Sequence, residues 1–198
     1  MNRKIFLLRH GTPHIEDKQH RYIGLTDPPL SEKGKNEAEA VGLWLRENAN
    51  DVEAVFTSPL IRALETAKIT ASAARFPEPV IASELREINL GDWEGRLIEE
   101  IRESYPEQFN ERGRHPWDFR IPGGETFHEA CTRFSSFLMS VIASTKRNIL
   151  LVSHSGVMRA FLCEVMSLPV NEILSLHIPM TGLSILNFYE PEEKFELL

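Results

Sequence analysis

Only two cysteines occur in 198 residues, too few for the disulfide framework that staples small secreted domains. Cys131 and Cys163 fall in helical patterns among apolar neighbours, which predicts buried free thiols and a cytoplasmic chain. No apolar run reaches transmembrane length. Asn2-Arg3-Lys4 before Ile5-Phe6-Leu7-Leu8 mimics the start of a signal peptide, but Arg9 and His10 end the run far too early. Positive charge is in deficit as well. The 22 Lys and Arg against 29 Asp and Glu leave a net charge of −7, which opposes binding to nucleic acid or to an anionic membrane. Any anion site must therefore be a local basic pocket. Repeats, low-complexity tracts and linkers are absent too. With 42% hydrophobic and 26% charged residues, the chain reads as a single domain over 1–198 whose core is held by packing.

What is present is concentrated at strand ends. The apolar run Ile5-Phe6-Leu7-Leu8 ends in Arg9-His10-Gly11-Thr12, and a second run, Asn148-Ile149-Leu150-Leu151-Val152-Ser153, ends in His154-Ser155-Gly156 with a helical pattern directly behind it. In open α/β sheets ligands gather outside the carboxyl ends of strands, so both histidines stand where chemistry is usually found.

Other segments fill in an alternating order. Ser31 can cap a helix running toward Asn50, with Ala38, Val41, Gly42 and Leu45 at helical spacing. Residues 52–57 read as a buried strand, after which Ser58-Pro59 opens a helix carrying Leu60, Leu64, Ala67 and Ala71 on one face. A short strand at 80–82 and an irregular stretch at 84–95 follow. Residues 96–122 mix charges with aromatics and contain Pro106 and Pro116, which predicts an inserted cap of short helices. A long amphipathic helix is expected over 125–145, then strand 148–153, helix 155–167, strand 184–189 and an edge strand at 193–197. The expected fold class is α/β: a three-layer sandwich with a mostly parallel central sheet, helices on both faces and a small helical cap.

Arg62 sits one turn into the helix after strand 52–57, so Arg9, Arg62, His10 and His154 can converge on one site. Forked guanidinium groups match tetrahedral oxyanions through charge-assisted hydrogen bonds and would hold a phosphoryl or sulfuryl group without metal. An unprotonated imidazole is a competent nucleophile. Glu87, after a short strand and before Gly91 and Gly95, is the candidate acid for a leaving group.

Six collinear motifs then resemble the histidine phosphatase superfamily, the phosphoglycerate-mutase-like fold. They are Leu7-Leu8-Arg9-His10-Gly11; Asp27-Pro28-Pro29-Leu30-Ser31-Glu32-Lys33-Gly34; Thr57-Ser58-Pro59-Leu60-Ile61-Arg62-Ala63; the run from Glu84 to Gly95; Pro122-Gly123-Gly124-Glu125; and Val152-Ser153-His154-Ser155-Gly156. The resemblance implies that His10 becomes phosphorylated, that Arg9, Arg62 and His154 bind the phosphoryl group, and that Glu87 donates the proton. Arg21, Gly24, Ser58 and Ser155 complete the expected substrate-binding set. No cofactor or metal is expected. The partner would be a small phosphorylated metabolite, with a homodimer compatible and neither nucleic acid nor membrane involved. The segment from Tyr22 to Ser31 is similar to the α-ribazole phosphatase type. Phosphoglycerate-mutase-type transfer and an inactive phosphate-binding scaffold are the alternatives. The modest cap favours hydrolysis over transfer, and the joint presence of His10, Arg9, Arg62, Glu87 and His154 opposes loss of activity.

Several residues invite other readings. His14, His20, Glu16 and Asp17 have metal-ligand chemistry, but Gly11 and Pro13 prevent a regular helix, and a solvated loop is expected. Ser153-His154-Ser155-Gly156 lacks the first glycine of a nucleophile elbow. Arg112, Arg114, His115 and Arg120 could receive a second anionic group or form a solvated face. Trp117 and Phe119 could form a substrate wall or a small cap core, and the core is expected. Glu16 stands near the position where many members carry a phosphoryl-binding asparagine, so either the loop is re-routed or Glu16 points away.

Overall fold

Successive residues of β1 (Asn2–Arg9) face two different cores. Ile5 and Leu7 join one apolar cluster, Phe6 and Leu8 the other, and a strand buried on both faces belongs to a sheet covered by helices on each side. The computed structural model describes the chain apart from Met1, Asp17, Lys18, Asn50, Pro191 and Glu193. Its sheet adds β2 (Val52–Thr57), β3 (Val80–Ile81), β4 (Asn148–Ser153), β5 (Leu183–Tyr189) and β6 (Lys194–Leu197), in the order β3-β2-β4-β1-β5-β6. Strands β1 to β4 are mutually parallel; β5 runs antiparallel to β1, and β6 antiparallel to β5.

Two helix pairs cover the faces. α1 (Glu32–Asn48) and α2 (Ile61–Ala74) pack Leu45, Ala63, Ala67 and Ala71 against Phe6 and Leu8. α5 (Phe127–Ser144) and α6 (Ser155–Val165) bring Phe134, Leu138, Met158 and Phe161 to the Ile5 side. Between them, α3 (Ile98–Ser104) and α4 (Pro106–Arg114) form the expected cap of short helices, with Pro106 in the first turn of α4. Trp117 stacks on His128 and Phe119 lies 6.2 Å from the Trp93 ring. Both are partly buried against the main core cluster instead of forming a separate core of the cap.

Helix starts differ from expectation where a cap was misassigned. Ser31 does cap α1, its Oγ accepting from Gly34 N at 3.1 Å. α2, however, begins at Ile61 rather than at Ser58-Pro59. Its first N–H donates to the Asp27 carboxylate at 2.8 Å, while Ser58 is engaged elsewhere. α5 begins at Phe127 because Thr126 and Glu129 form a reciprocal capping box, which leaves Glu125 free to pair with Arg133. Cys131 and Cys163 are free and buried. Among the described residues no helix is long and apolar enough to cross a membrane.

Candidate active site

Parallel pairing of β1 with β4 puts Arg9 opposite Ser153. The next residues, His10 and His154, therefore emerge side by side, with ring centroids 5.0 Å apart. β2 ends beside β4 with Thr57 opposite Val152, which delivers Ser58 and the start of α2 to the same sheet edge.

His10 is 5% exposed, and its tautomer is fixed by partners that can play only one role. Nδ1 lies 2.8 Å from the Gly11 carbonyl oxygen, which can only accept, and Nε2 receives the Arg62 Nε–H at 3.3 Å, which can only donate. The proton is on Nδ1 and the lone pair on Nε2. Burial, then Arg62 and Arg9, push the imidazole pKa down to about 3 against the opposing Gly11 hydrogen bond. At neutral pH the ring is therefore uncharged. Gly11 can serve as this turn only without a side chain, since a Cβ there would lie 2.6 Å from the Gly34 carbonyl oxygen at the start of α1. Glu37 of α1 holds the next residue, accepting from Thr12 N at 2.9 Å and from Thr12 Oγ1.

Arg62, 1% exposed, is clamped by main chain. It donates to Gly24 O at 2.7 Å and Thr26 O at 2.8 Å, with Asp27 at 3.4 Å. That loop is itself clamped by Glu94, whose carboxylate accepts from Gly24 N at 2.6 Å, Leu25 N at 2.9 Å and Thr26 N at 3.4 Å. Gly24 thus holds Arg62 and does not face the cleft. Ser58 likewise lies behind the site, fully buried, with its Oγ 2.7 Å from His154 Nε2. Neither lines the cavity: Gly24 O holds Arg62 and Ser58 Oγ meets the His154 ring. Arg9 donates to Ile178 O at 2.6 Å.

His154 is fully buried behind His10 rather than on the cavity wall. Burial, then His10, Arg62 and Arg9, hold its pKa far below the ordinary value. Among the described residues its Nδ1 has no hydrogen-bond partner, and neither does the Arg9 Nε.

Glu87 sits at the N-terminus of α6. Its carboxylate accepts from Gly156 N and Val157 N at 3.0 Å each and from Ile88 N at 2.9 Å. Gly156 permits this approach, because a Cβ there would lie 2.6 Å from Glu87 Oε1. The backbone of the segment is tied down by Arg133 of α5, which donates to Glu87 O at 3.2 Å while paired with Glu125 at 2.7 Å.

These groups surround two compartments. A cavity of about 300 Å³ has Arg9, His10, Arg62 and Glu87 on its wall, together with Arg21 and Ser155. Beyond Glu87 and Ser155 a second space of about 250 Å³ is lined by Arg112 and Arg159. Arg21, anchored on Gly95 O at 3.0 Å, borders both. Of the cap residues singled out by charge, only Arg112 reaches the cleft. Arg120 pairs with Glu129, His115 lies 3.9 Å from Glu111, and Arg114 is exposed. Glu16 and His14 are exposed and off the cavity wall, and Asp17 lies outside the described residues; His20 borders the mouth. Sequence reading missed Arg159, Glu94, Glu37 and Arg133. Arg159 was within reach, since it stands four residues after Ser155 on one face of α6.

The chain belongs to the histidine phosphatase superfamily, branch 1, whose family model matches residues 5–198. It is 31% identical over 188 residues to phosphoserine phosphatase 1 of Hydrogenobacter thermophilus, covering 94% of this chain and 87% of that one. A 2,3-bisphosphoglycerate-dependent phosphoglycerate mutase of Bartonella tribocorum is 28% identical over 197 residues, covering 97% and 95%. The solved structure of Bacillus stearothermophilus YhfR superposes with a TM-score of 0.86 at 29% identity, covering 98% and 94%. In several further curated relatives the chain spans half of the length or less.

Proposed function

We propose that this chain is a metal-independent phosphomonoesterase that acts on a small phosphorylated metabolite through a phosphohistidine on His10. The observation that carries this reading is the uncharged His10 ring, its Nδ1–H on Gly11 O and its Nε2 lone pair on an arginine-lined cavity wall.

In the first half-reaction Nε2 attacks phosphorus in line as the ester P–O bond breaks. Arg9 and Arg62 meet the charge on the phosphoryl oxygens, and His154 adds an Nδ1–H donor only by turning out from behind His10, with its Nε2 accepting from Ser58 Oγ–H. Glu87 lies between the two compartments, where a departing alcohol would pass, and gives it a proton. To do so one carboxyl oxygen must carry a proton and turn from the α6 N–H groups toward the leaving oxygen. The resulting carboxylate then takes a proton from the water that attacks the phosphohistidine, releasing inorganic phosphate and restoring His10.

Transfer is the competing reading. The small cap favours hydrolysis, but the Bartonella mutase is almost coextensive with this chain, so the fate of the phosphate must decide. The proposed substrate α-ribazole 5'-phosphate rests on the segment from Tyr22 to Ser31. Gly24, Thr26 and Asp27 of that segment are committed to Arg62 and α2, so they say little about the leaving group.

Protein quenched in alkali during turnover of p-nitrophenyl phosphate should carry phosphate on His10 that is stable to base and labile to acid. His10→Ala should carry none and should lose at least about 10³-fold in turnover, the scale of removing a nucleophile, while remaining folded by circular dichroism. Phosphate retained on an acceptor instead of released would favour the mutase. Normal turnover by His10→Ala would end the mechanism.

A further inference from the structure

Glu87 must deliver a proton to a defined point, yet its main chain has no sheet ladder to fix it. Residues 86–90 lie outside any helix or strand. α5 takes the ladder's place. Arg133 donates to the carbonyl oxygen of Glu84 and, at 3.2 Å, to that of Glu87. Glu125 accepts from Asn89 N at 3.3 Å and donates its own N–H to Asn89 O at 2.9 Å. Ser153 Oγ, at the end of β4, adds a bond to Leu85 O at 2.7 Å. The chain is thus held on both sides of Glu87, mostly by two residues of one helix start.

Glu125 and Arg133 also hold each other. Arg133 Nε and Nη2 donate to the two carboxylate oxygens of Glu125 at 2.7 and 3.0 Å, a fork that fixes the guanidinium plane as well as its place. Their side chains are 11% and 13% exposed. A pair so little exposed loses much of its Coulomb gain to desolvation, and an apolar pair of similar volume often stabilises a fold as well or better. Stability alone therefore does not account for it. Neither residue borders the compartments on either side of Glu87, so neither touches a substrate.

We propose that Glu125 and Arg133 are a positioning pair for the acid, fixing the main chain at Glu87 so that proton transfer needs only its side chain to turn. This rests on the phosphohistidine reading and deepens it. As the ester P–O bond breaks, its electron pair stays on the alcohol oxygen and the Glu87 proton goes there. A misplacement of about 1 Å can cost about 100-fold at such a step. A leaving group that departs as a stable anion is indifferent to it.

The specificity constant kcat/KM covers the steps up to loss of the alcohol and reads this selectively. Two alkyl esters, 3-phosphoglycerate and glycerol 1-phosphate, are compared with p-nitrophenyl phosphate, whose phenolate needs little help. In Arg133→Gln both alkyl-to-aryl ratios should fall about 10–100-fold, with part restored by Arg133→Lys. Competitive inhibition by inorganic phosphate should stay near the wild-type value, because Arg9 and Arg62 are held by other carbonyls. In a Glu87→Gln background Arg133→Gln should lower the ratios no further, since residues acting through one group are not additive. Removing one partner of a buried pair can unfold a chain, so Glu125→Leu combined with Arg133→Met is the second variant. It keeps apolar bulk without the charges, and should melt as a folded protein yet show the same lowered ratios.

Ratios unchanged in Arg133→Gln and in the paired variant, equal losses on alkyl and aryl esters, or full additivity with Glu87→Gln would overturn the positioning role and leave the phosphatase standing. Lowered ratios in the variants, with no base-stable phosphate on His10 of the wild type, would instead sink the phosphohistidine reading and keep the positioning pair.

Discussion

The two compartments that meet at Glu87 are built in opposite ways. Around His10 the chain leaves little to adjust: Nδ1 is fixed by Gly11, Arg62 by two carbonyls, and the loop bearing those carbonyls by Glu94. Beyond Glu87, Arg112 comes from a nine-residue cap helix and rests on aromatic faces beside the Tyr22 hydroxyl, and Arg159 projects from the first turns of α6 with its Nε unpartnered among the described residues. Preorganised donors and dipoles gain most where charge develops during reaction, because they need not reorganise then. The rigid half suits a step common to every substrate. The other half, where Arg112 rests on ring faces rather than on main chain, suits discrimination.

Glu87 lies on the border, and replacing it gives the largest effect that separates the halves. With an ordinary alkyl phosphate the departing alkoxide needs a proton, so Glu87→Gln should slow phosphorylation of His10 by about 10²–10⁴-fold. The phenolate of p-nitrophenyl phosphate leaves with little help. Rapid-quench measurements on the variant should show a burst followed by slow turnover, because hydrolysis of the phosphohistidine loses its base. Equal slowing of phosphorylation with both substrates would make Glu87 a binding group of the rigid half.

Legibility in the sequence follows the same division. Apolar runs ending in Arg9-His10 and His154 are local signals, so the α/β order, the strand ends and the convergence of Arg9, His10, Arg62 and His154 could be read directly, with Glu87 as the candidate acid. Partners drawn from main chain could not be. Gly11 O, the Gly24 and Thr26 carbonyls and the three N–H groups on Glu94 are peptide atoms with no side-chain identity, and Glu94 acts on a loop about 70 residues away. Ser58 and Gly24 stand in recognisable motifs, yet they serve the site from behind. Distance from the sheet blurred the cap: four basic residues looked equivalent, and only the fold separates Arg112 from Arg114, His115 and Arg120.

Glu94 offers a smaller and more selective test. It touches no reacting group, so it is a positioning residue acting through residues 24–26 on Arg62. Glu94→Gln replaces one acceptor oxygen by a donor amide facing backbone N–H groups, and should lower kcat/KM about 10-fold, the scale of a charged hydrogen bond lost to main chain. The loss should fall on kcat and be equal for 3-phosphoglycerate and glycerol 1-phosphate. A change in the ratio between them would show that the two halves are mechanically coupled.

The smallest effect concerns stability against pH and follows from the buried histidines. The folded pKa of His10 is about 3 and that of His154 is also depressed, whereas an unfolded histidine titrates near 6.5. Between those values the unfolded chain binds the additional protons, so stability is full above about pH 6.5 and is lost as pH falls toward 3. Each such histidine contributes a slope of about 1.4 kcal/mol per pH unit within the window. Denaturant melts between pH 5 and 6, above the range where most carboxylates titrate, should show a shallower slope for His10→Ala than for the wild type, by one proton's worth. Arg159→Gln should leave that slope as it is, because a guanidinium stays protonated on both sides of the transition. If His10→Ala melts with the wild-type slope, then His10 already carries a proton in the folded protein at these pH values, and the lone pair on Nε2 that defines the rigid half is not there to attack.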